Sequence, residues 1–209
     1  MENLTKCPLC ESEAEFFYQH KYLRCPECDS LFKHPKLLPS LEEEKKRYTL
    51  HNNDVQDPKY QHFVSPLTDA IFDDFTPTSL GLDFGCGNGP VISKVLSDQG
   101  FEILQYDPLF CNNKEVLEKK YDYIVCCEVI EHFHKPNKEF ALLRSLLKEG
   151  GKLYCKTHPF DESIDFETWY YKEDETHVFF YQAKTLQWIK EKFGFVDVML
   201  DGRIITFIA

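Results

Sequence analysis

Short apolar runs alternate with amphipathic segments from residue 79 onward, and this pattern predicts alternating strands and helices. The apolar runs predict strands over residues 80–84, 101–106, 123–127 and 152–156. The amphipathic segments predict helices over residues 90–99, 139–147 and 185–193. The run at 123–127 is almost entirely apolar, as expected of a strand covered on both faces of a parallel sheet. The pattern therefore predicts an α/β fold with a mostly parallel sheet.

The end of the chain predicts a different kind of strand pairing. Two apolar segments, 195–200 and 203–208, flank Asp201-Gly202, a two-residue connection typical of tight β-hairpins. The sheet should therefore end in an antiparallel pair. This ending argues against a dinucleotide-binding dehydrogenase, whose sheet is all parallel.

Residues 36–78 predict helices and irregular segments punctuated by prolines. Ser40, followed by Glu42, Glu43 and Glu44, is typical of a helix start, because its side chain caps the first turn and acidic residues suit that end. A second helix is predicted over residues 60–75. Between the two, residues 48–53 form either a linker or part of a lid over a ligand. We therefore expect three units, 1–35, 36–78 and 79–209.

The first unit carries two Cys-x-x-Cys pairs separated by fourteen residues: Cys7, Cys10, Cys25 and Cys28. The aromatic stretch 14–24 between them can pair as a short hairpin. Four thiolates at this spacing suit tetrahedral zinc. So short a segment cannot build a sufficient hydrophobic core and needs a metal or a similar cross-link to fold. The spacing predicts a zinc ribbon with a structural metal. Two disulfides are the alternative. His20 and His34 are possible substitute ligands, but the four cysteines already complete the site.

The composition of the chain indicates where the protein is located in the cell and which partners it can bind. The apolar runs are shorter than the roughly 20 residues of a membrane helix, and the first six residues lack the apolar segment of a signal peptide. A cytoplasmic protein is therefore expected, without membrane partners. A net charge of −11 disfavours nucleic acid, because binding it requires Lys and Arg to neutralise phosphates. The one basic cluster, Lys45-Lys46-Arg47, directly follows glutamates and suits a solvated helix face.

The stretch Leu82 to Gly89 predicts a buried strand that breaks into a glycine turn before a helix. Gly85 and Gly87 permit backbone conformations closed to other residues and let the main chain approach a ligand. Asp107 follows the turn by about twenty residues, at the end of the next strand, where a carboxylate can bind a ribose diol. The alternative for Asp107 is an ordinary turn residue before proline. Together the turn and the carboxylate indicate a nucleotide-like cofactor.

Two further segments carry candidate chemistry. The loop after residue 127 holds Glu128, Glu131 and His132, and a helical turn would bring these side chains together. A carboxylate beside an imidazole suits proton exchange near neutral pH. Plain structural contacts are one alternative, and a metal site is another, although the loop alone offers no complete ligand set. The insertion after residue 156 adds His177 among aromatic residues, which form either an acceptor pocket or a mini-core.

These motifs together resemble small bacterial class I S-adenosylmethionine-dependent methyltransferases that carry an N-terminal zinc ribbon. The resemblance implies a Rossmann-like sheet, with Asp83, Gly85 and Gly87 at the methionine part of the cofactor, Asp107 at its ribose and Glu128 near the sulfonium. The adjoining Cys86 and Cys127 complete the expected cofactor set, and Glu131, His132 and His177 are the expected catalytic residues. The chain departs from the family between Asp107 and Tyr121, where relatives have a further helix and strand that contact the adenine.

The function implied is methyl transfer to a small-molecule acceptor, with O-, N- or C-methylation left open. One alternative is an RNA or protein methyltransferase that uses the ribbon to bind its substrate. The other is a non-catalytic scaffold that binds S-adenosylmethionine.

Overall fold

The structure is a computed structural model that describes residues 5–50 and 54–209. Its centre is a six-stranded sheet in the order β5-β4-β6-β7-β10-β9. The strands are β4 (Leu80–Phe84), β5 (Glu102–Tyr106), β6 (Tyr121–Cys127), β7 (Leu147–Lys156), β9 (Asp197–Asp201) and β10 (Ile204–Ile208). The first four are parallel, and β10 runs antiparallel to both β7 and β9. The mostly parallel sheet with a terminal hairpin is therefore confirmed.

Helices cover both faces of this sheet. Their bounds are α1 (Leu41–Thr49), α2 (Pro58–Asp74), α3 (Val91–Asp98), α4 (Pro136–Leu146) and α5 (Ala183–Phe193). Alternate residues of β6 point to opposite faces. Tyr123 and Val125 pack in one apolar cluster with α2 and α3, whereas Ile124 and Cys126 pack in another with α4 and α5. The uninterrupted apolar run of β6 is thus explained by burial on both sides.

The ribbon segment belongs to a second, four-stranded antiparallel sheet, in the order β1-β2-β3-β8. Three strands come from the N-terminus, β1 (Glu15–Tyr18), β2 (Tyr22–Arg24) and β3 (Leu31–Lys33). The fourth, β8 (Phe179–Phe180), comes from the long insertion between β7 and α5 and pairs with β3. Buried ribbon residues such as Leu23 and Phe32 share one apolar cluster with the central sheet. The N-terminal segment is therefore integrated into the larger core.

Several boundaries differ from the expectations. Strand β7 begins at Leu147 instead of 152, because Leu147 already pairs with Tyr121 ahead of a bulge. Helix α2 begins at Pro58, where the Asp57 side chain accepts a hydrogen bond from the Lys59 N–H. Ser40 caps α1 as expected, in a reciprocal arrangement with Glu43. The proposed lid is described only through Leu50, since residues 51–53 lie outside the described residues. None of the described helices combines the length and apolar character needed to cross a bilayer.

Candidate active site

A cleft opens where the strand order reverses, since the chain continues from β4 to β5 on one side and later to β6 on the other. Ligands of open α/β sheets bind at this place, beyond the carboxyl ends of the strands. The cleft has a volume of about 1090 Å³. Eight of the expected cofactor and catalytic residues line it: Gly85, Cys86, Gly87, Asp107, Cys127, Glu128, His132 and His177.

The glycine turn is held against the end of β5. Gly85 and Gly87 both adopt positive φ, +81° and +63°. The Gly85 N–H donates to the Tyr106 carbonyl at 2.7 Å, and the Gly87 N–H donates to Asp107 Oδ2 at 3.1 Å. A Cβ on Gly85 would lie 2.6 Å from Val129, so position 85 has neither the space nor the backbone conformation for a side chain.

Asp107 already binds the backbone around it. Its Oδ1 accepts hydrogen bonds from the N–H groups of Leu109 and Phe110 at 2.8 and 3.0 Å, while Oδ2 accepts from Gly87. Asp107 is thus a turn residue that also faces the cleft. A carboxylate oxygen has two lone pairs, so Oδ2 retains one acceptor position for a ligand hydroxyl.

Asp83 lies behind the turn and does not line the cleft. Its carboxylate is 3% exposed and accepts a hydrogen bond from Ser93 Oγ at 2.8 Å. Burial raises the pKa of Asp83 to about 6, against the opposing effect of the Ser93 hydrogen bond. Asp83 therefore connects β4 to the first turns of α3 beneath the glycine turn.

On the other side of the cleft, Tyr171 connects two carboxylates. Its hydroxyl donates to Glu131 Oε1 and lies 3.1 Å from Glu128 Oε2. Arg203 Nη2 lies 2.8 Å from both oxygens of Glu128. Burial, reinforced by the other carboxylate, raises the pKa of Glu128 to about 7, and burial raises the pKa of Glu131 to about 7 as well. Glu128 also adopts φ +51°, a strained conformation for a residue with a Cβ, which is common at functional sites.

His132 and His177 come from distant segments and meet with ring centroids 4.8 Å apart. His132 Nδ1 lies 2.8 Å from the Thr176 carbonyl, and His177 Nδ1 lies 2.7 Å from the Tyr171 carbonyl. A carbonyl only accepts, so each Nδ1 carries the proton and each Nε2 keeps a lone pair. Burial lowers the pKa of both rings, that of His177 to about 4.

Glu131 is fully buried and does not line the cleft. It reaches the site through Tyr171 and through His177, whose Nε2 lies 4.0 Å from Glu131 Oε1. The aromatic residues of the insertion between β7 and α5 were expected to form either an acceptor pocket or a mini-core, and the structure shows some of them in each place. Trp169 is buried in a mini-core with Phe166 and Phe180, whereas Tyr171 lines the cleft.

Helix α1 lines the cleft and is held there by a hydrogen bond and an ion pair. Glu44 Oε1 lies 2.8 Å from His134 Nε2, and Arg47 donates to Asp174 Oδ2 at 2.8 Å. Tyr48, also on α1, packs edge-on against His132. Arg47 and Arg203 were missed as site residues from the sequence, because each acts through a partner far away in the chain. Arg203 carried one signal, since it is the single cation in the segment 195–208.

The four ribbon cysteines form a compact cluster apart from the cleft. Cys7 Sγ lies 3.7 Å from Cys28 Sγ, and Cys10 Sγ lies 3.3 Å from Cys25 Sγ. These separations are far longer than the roughly 2.05 Å of a disulfide bond, and all nine cysteines are free. One sulfur from each of the four residues can contribute to a single metal site, and neither His20 nor His34 belongs to that group.

The sheet with its terminal hairpin, and the glycine turn at its switch point, define the fold of class I methyltransferases. The chain belongs to the methyltransferase-domain family, whose family model matches residues 57–200. A curated relative is the ubiquinone biosynthesis O-methyltransferase of Glaesserella parasuis serovar 5 (strain SH0165), 27% identical over 127 residues. That match covers 46% of this chain and 53% of the relative, so the chain spans about half the length of the curated relative.

Two solved structures share the fold. A 1,6-didemethyltoxoflavin-N1-methyltransferase from Burkholderia thailandensis superposes with a TM-score of 0.57 at 13% identity, over 94% of this chain and 99% of that one. A SAM-dependent methyltransferase from Archaeoglobus fulgidus superposes with a TM-score of 0.55 at 18% identity, over 71% of this chain and 94% of that one.

Proposed function

We propose that the chain binds S-adenosylmethionine at the ends of β4, β5 and β6 and transfers its methyl group to a small-molecule acceptor. The observation that carries this proposal is the single continuous cleft, which joins the glycine turn to the Glu128 and His132 side of the site. A cleft of about 1090 Å³ lies near the upper end of ordinary ligand pockets, with room for a nucleoside cofactor and a small acceptor.

The residues around the glycine turn fit the cofactor. The free acceptor position on Asp107 Oδ2 would bind one ribose hydroxyl, and Gly85, Cys86 and Gly87 would line the methionine part. Asp83 would act beneath them by fixing the turn through Ser93. Apolar side chains beside Asp107, Leu109 and Phe110 among them, offer a wall for the adenine where the family's usual segment is absent. When bound, S-adenosylmethionine supplies an activated methyl group at a sulfonium.

The chain's own residues position the acceptor and remove its proton. Cys127 and Glu128 line the same cleft as the glycine turn and the two histidines, and they would lie near the reacting methyl group. His132 lines the cleft, and its Nε2 keeps a lone pair because Nδ1 donates to the Thr176 carbonyl. As the acceptor atom forms its bond to the methyl carbon, its proton would pass to this lone pair. His177 and Glu131 would hold the His132 ring and its charge in place.

The lining of the cleft favours a small acceptor. Helix α1 and Tyr171 both line it, so a polymer would have to displace the contacts of Glu44 with His134 and of Arg47 with Asp174. The net charge of −11 further disfavours RNA. Supporting this proposal, the relatives described above are named as methyltransferases of ubiquinone biosynthesis and of didemethyltoxoflavin, both small molecules.

We expect His132→Ala to lower turnover at least about a hundredfold with little change in cofactor affinity, which is the typical weight of general-base catalysis. His177→Ala should act in the same direction but less strongly, because its ring supports His132. Labelled S-adenosylmethionine with the small-molecule fraction of a cell extract measures turnover, and calorimetry measures binding. Unchanged turnover in both variants would reject the catalytic assignment.

The same assay separates the alternatives. Cofactor binding without transfer to small molecules, RNA or protein would identify a scaffold. Transfer of label to RNA, lost on mutating the ribbon, would identify the ribbon as a substrate-binding unit.

We also propose that Cys7, Cys10, Cys25 and Cys28 hold one structural zinc ion. The convergence of four cysteine sulfurs supports this, because four thiolates are the ligand set of many structural zinc sites. Metal analysis of the purified protein should find zinc, and Cys10→Ser should lower the zinc content by one ion per chain.

A further inference from the structure

Glu131, His132 and His177 form a second group of converging metal-ligand atoms, separate from the ribbon. One nitrogen of each ring and one carboxylate oxygen all lie within 4.8 Å of one another. Glu131 and His132 belong to the 3-10 helix Ile130–His132, while His177 precedes β8 in the insertion. Only folding brings this set together, so a ligand set incomplete in the sequence is complete in the structure.

Both imidazoles are oriented in the way that metal-bound histidines are. Each ring uses Nδ1 to donate to a backbone carbonyl, that of Thr176 for His132 and that of Tyr171 for His177. Such a bond fixes the tautomer and aims the lone pair of Nε2 at a ligand, which is the usual outer contact of a metal-binding histidine. The two rings stand 4.8 Å apart, so their lone pairs serve one small region.

The carboxylate adds an independent indication. Glu131 is fully buried, and its Oε1 accepts from Tyr171 and lies 4.0 Å from His177 Nε2. Its other oxygen, Oε2, is one of two fully buried side-chain polar atoms without a hydrogen-bond partner among the described residues. A buried carboxylate oxygen left without a partner is costly, and a bound cation removes that cost.

We propose that Glu131, His132 and His177 bind one divalent first-row transition-metal ion. Two imidazoles and one carboxylate are a ligand set of catalytic zinc sites and leave coordination positions open, whereas magnesium prefers oxygen ligands. Ligand atoms about 2.1 Å from a tetrahedral ion lie about 3.4 Å apart, so atoms that now lie within 4.8 Å of one another close by up to about 1.4 Å on binding. Glu128 stays outside the set, because Arg203 binds both of its oxygens.

The ion would provide a second way to activate the acceptor for methyl transfer. This catalytic role of the ion rests on the proposed function. Of the three ligands, His132 and His177 line the cleft, so the open positions face the acceptor. An acceptor oxygen or nitrogen bound there loses its proton more easily, because the ion stabilises the resulting anion. The Nε2 lone pair of His132 serves either as a base or as a ligand, so in the metal-loaded chain the acceptor's proton would pass to solvent water in the cleft instead of to that ring.

The test supplies the chain with one equivalent of zinc for the ribbon, then titrates it with Co²⁺ and follows its visible absorption together with the calorimetric heat. We expect one Co²⁺ to bind in addition to the ribbon zinc, without the thiolate charge-transfer band that a cysteine site produces. Glu131→Gln and His177→Gln should each weaken this binding at least about tenfold, as removal of a ligand does. His62→Ala is the matched control, since its ring is exposed on α2, and it should bind as the unaltered chain does.

Three results overturn the proposal: no Co²⁺ bound beyond the ribbon, equal binding by all variants, or binding that appears only with the thiolate band. Thermal unfolding of each variant shows that it is folded, and the buried Glu131→Gln change keeps the side-chain shape. If no Co²⁺ binds, and turnover still depends on the histidines in the presence of a chelator, the metal site is rejected and the proposed function is retained. Co²⁺ bound at this site without any methyl transfer supports the metal site and rejects the proposed function.

Discussion

Gly85 shows how a single position limits the cofactor site. Its φ of +81° is matched by Gly100, but a Cβ on Gly85 meets Val129 at 2.6 Å, whereas Gly100 has open space around it. We expect Gly85→Ala to destabilise the fold by about 2–3 kcal/mol and to weaken cofactor binding, since strain and overpacking add. Gly100→Ala carries the backbone strain alone and should cost about 1 kcal/mol. Urea unfolding measures both, and equal losses would contradict the steric account.

Asp83 makes stability depend on pH. Its folded pKa of about 6 exceeds the usual 3.8, so the folded state favours the protonated form. The stability from this preference is complete below about pH 4 and is lost as the pH rises through 6. The side chain of the Asp83→Asn variant does not titrate. Between pH 4 and 8, the free energy of unfolding of the unaltered chain should therefore fall by up to about 3 kcal/mol relative to that of the variant. Unfolding free energies at both pH values give this difference, and a constant gap would contradict it.

At the scale of elements, β8 joins the ribbon to the rest of the molecule. Phe32 on β3 pairs with Phe179 on β8 and is 2% exposed, whereas Phe16 on β1 is 50% exposed. We expect Phe32→Ala to lower the free energy of unfolding by about 3–5 kcal/mol, as large-to-small core changes do. Phe16→Ala should cost less than about 1 kcal/mol.

The ribbon residues share the main apolar cluster with the central sheet. Release of the proposed zinc ion and loss of the central sheet should therefore occur in one transition in both variants. Metal release and far-ultraviolet circular dichroism during heating test this coupling. Separate transitions would identify the ribbon as an independent domain, as the expected unit 1–35 implies.

For the whole molecule, the ion pair of Arg47 with Asp174 ties helix α1 to the insertion across the cleft. Arg47→Ala should raise the KM for the acceptor by no more than about fivefold, since exposed ion pairs contribute at most about 1 kcal/mol. The kcat should change little, because Arg47 does not touch His132 or Glu128. Lys94→Ala removes an exposed ion pair within α3 and is the control. Equal KM values in both variants would mean that α1 does not govern access.

The sequence by itself determined the sheet, its terminal hairpin, the glycine turn and the cysteine cluster. Each of these is encoded over a few residues, by apolar periodicity, by the backbone freedom of glycine or by fixed ligand spacing. Tertiary structure decided what these elements do together. It placed Asp83 behind the turn, attached β8 to the ribbon, set α1 along the cleft and joined His177 to Glu131 and His132. Such pairings depend on which distant side chains share a buried space, and local pattern does not encode that.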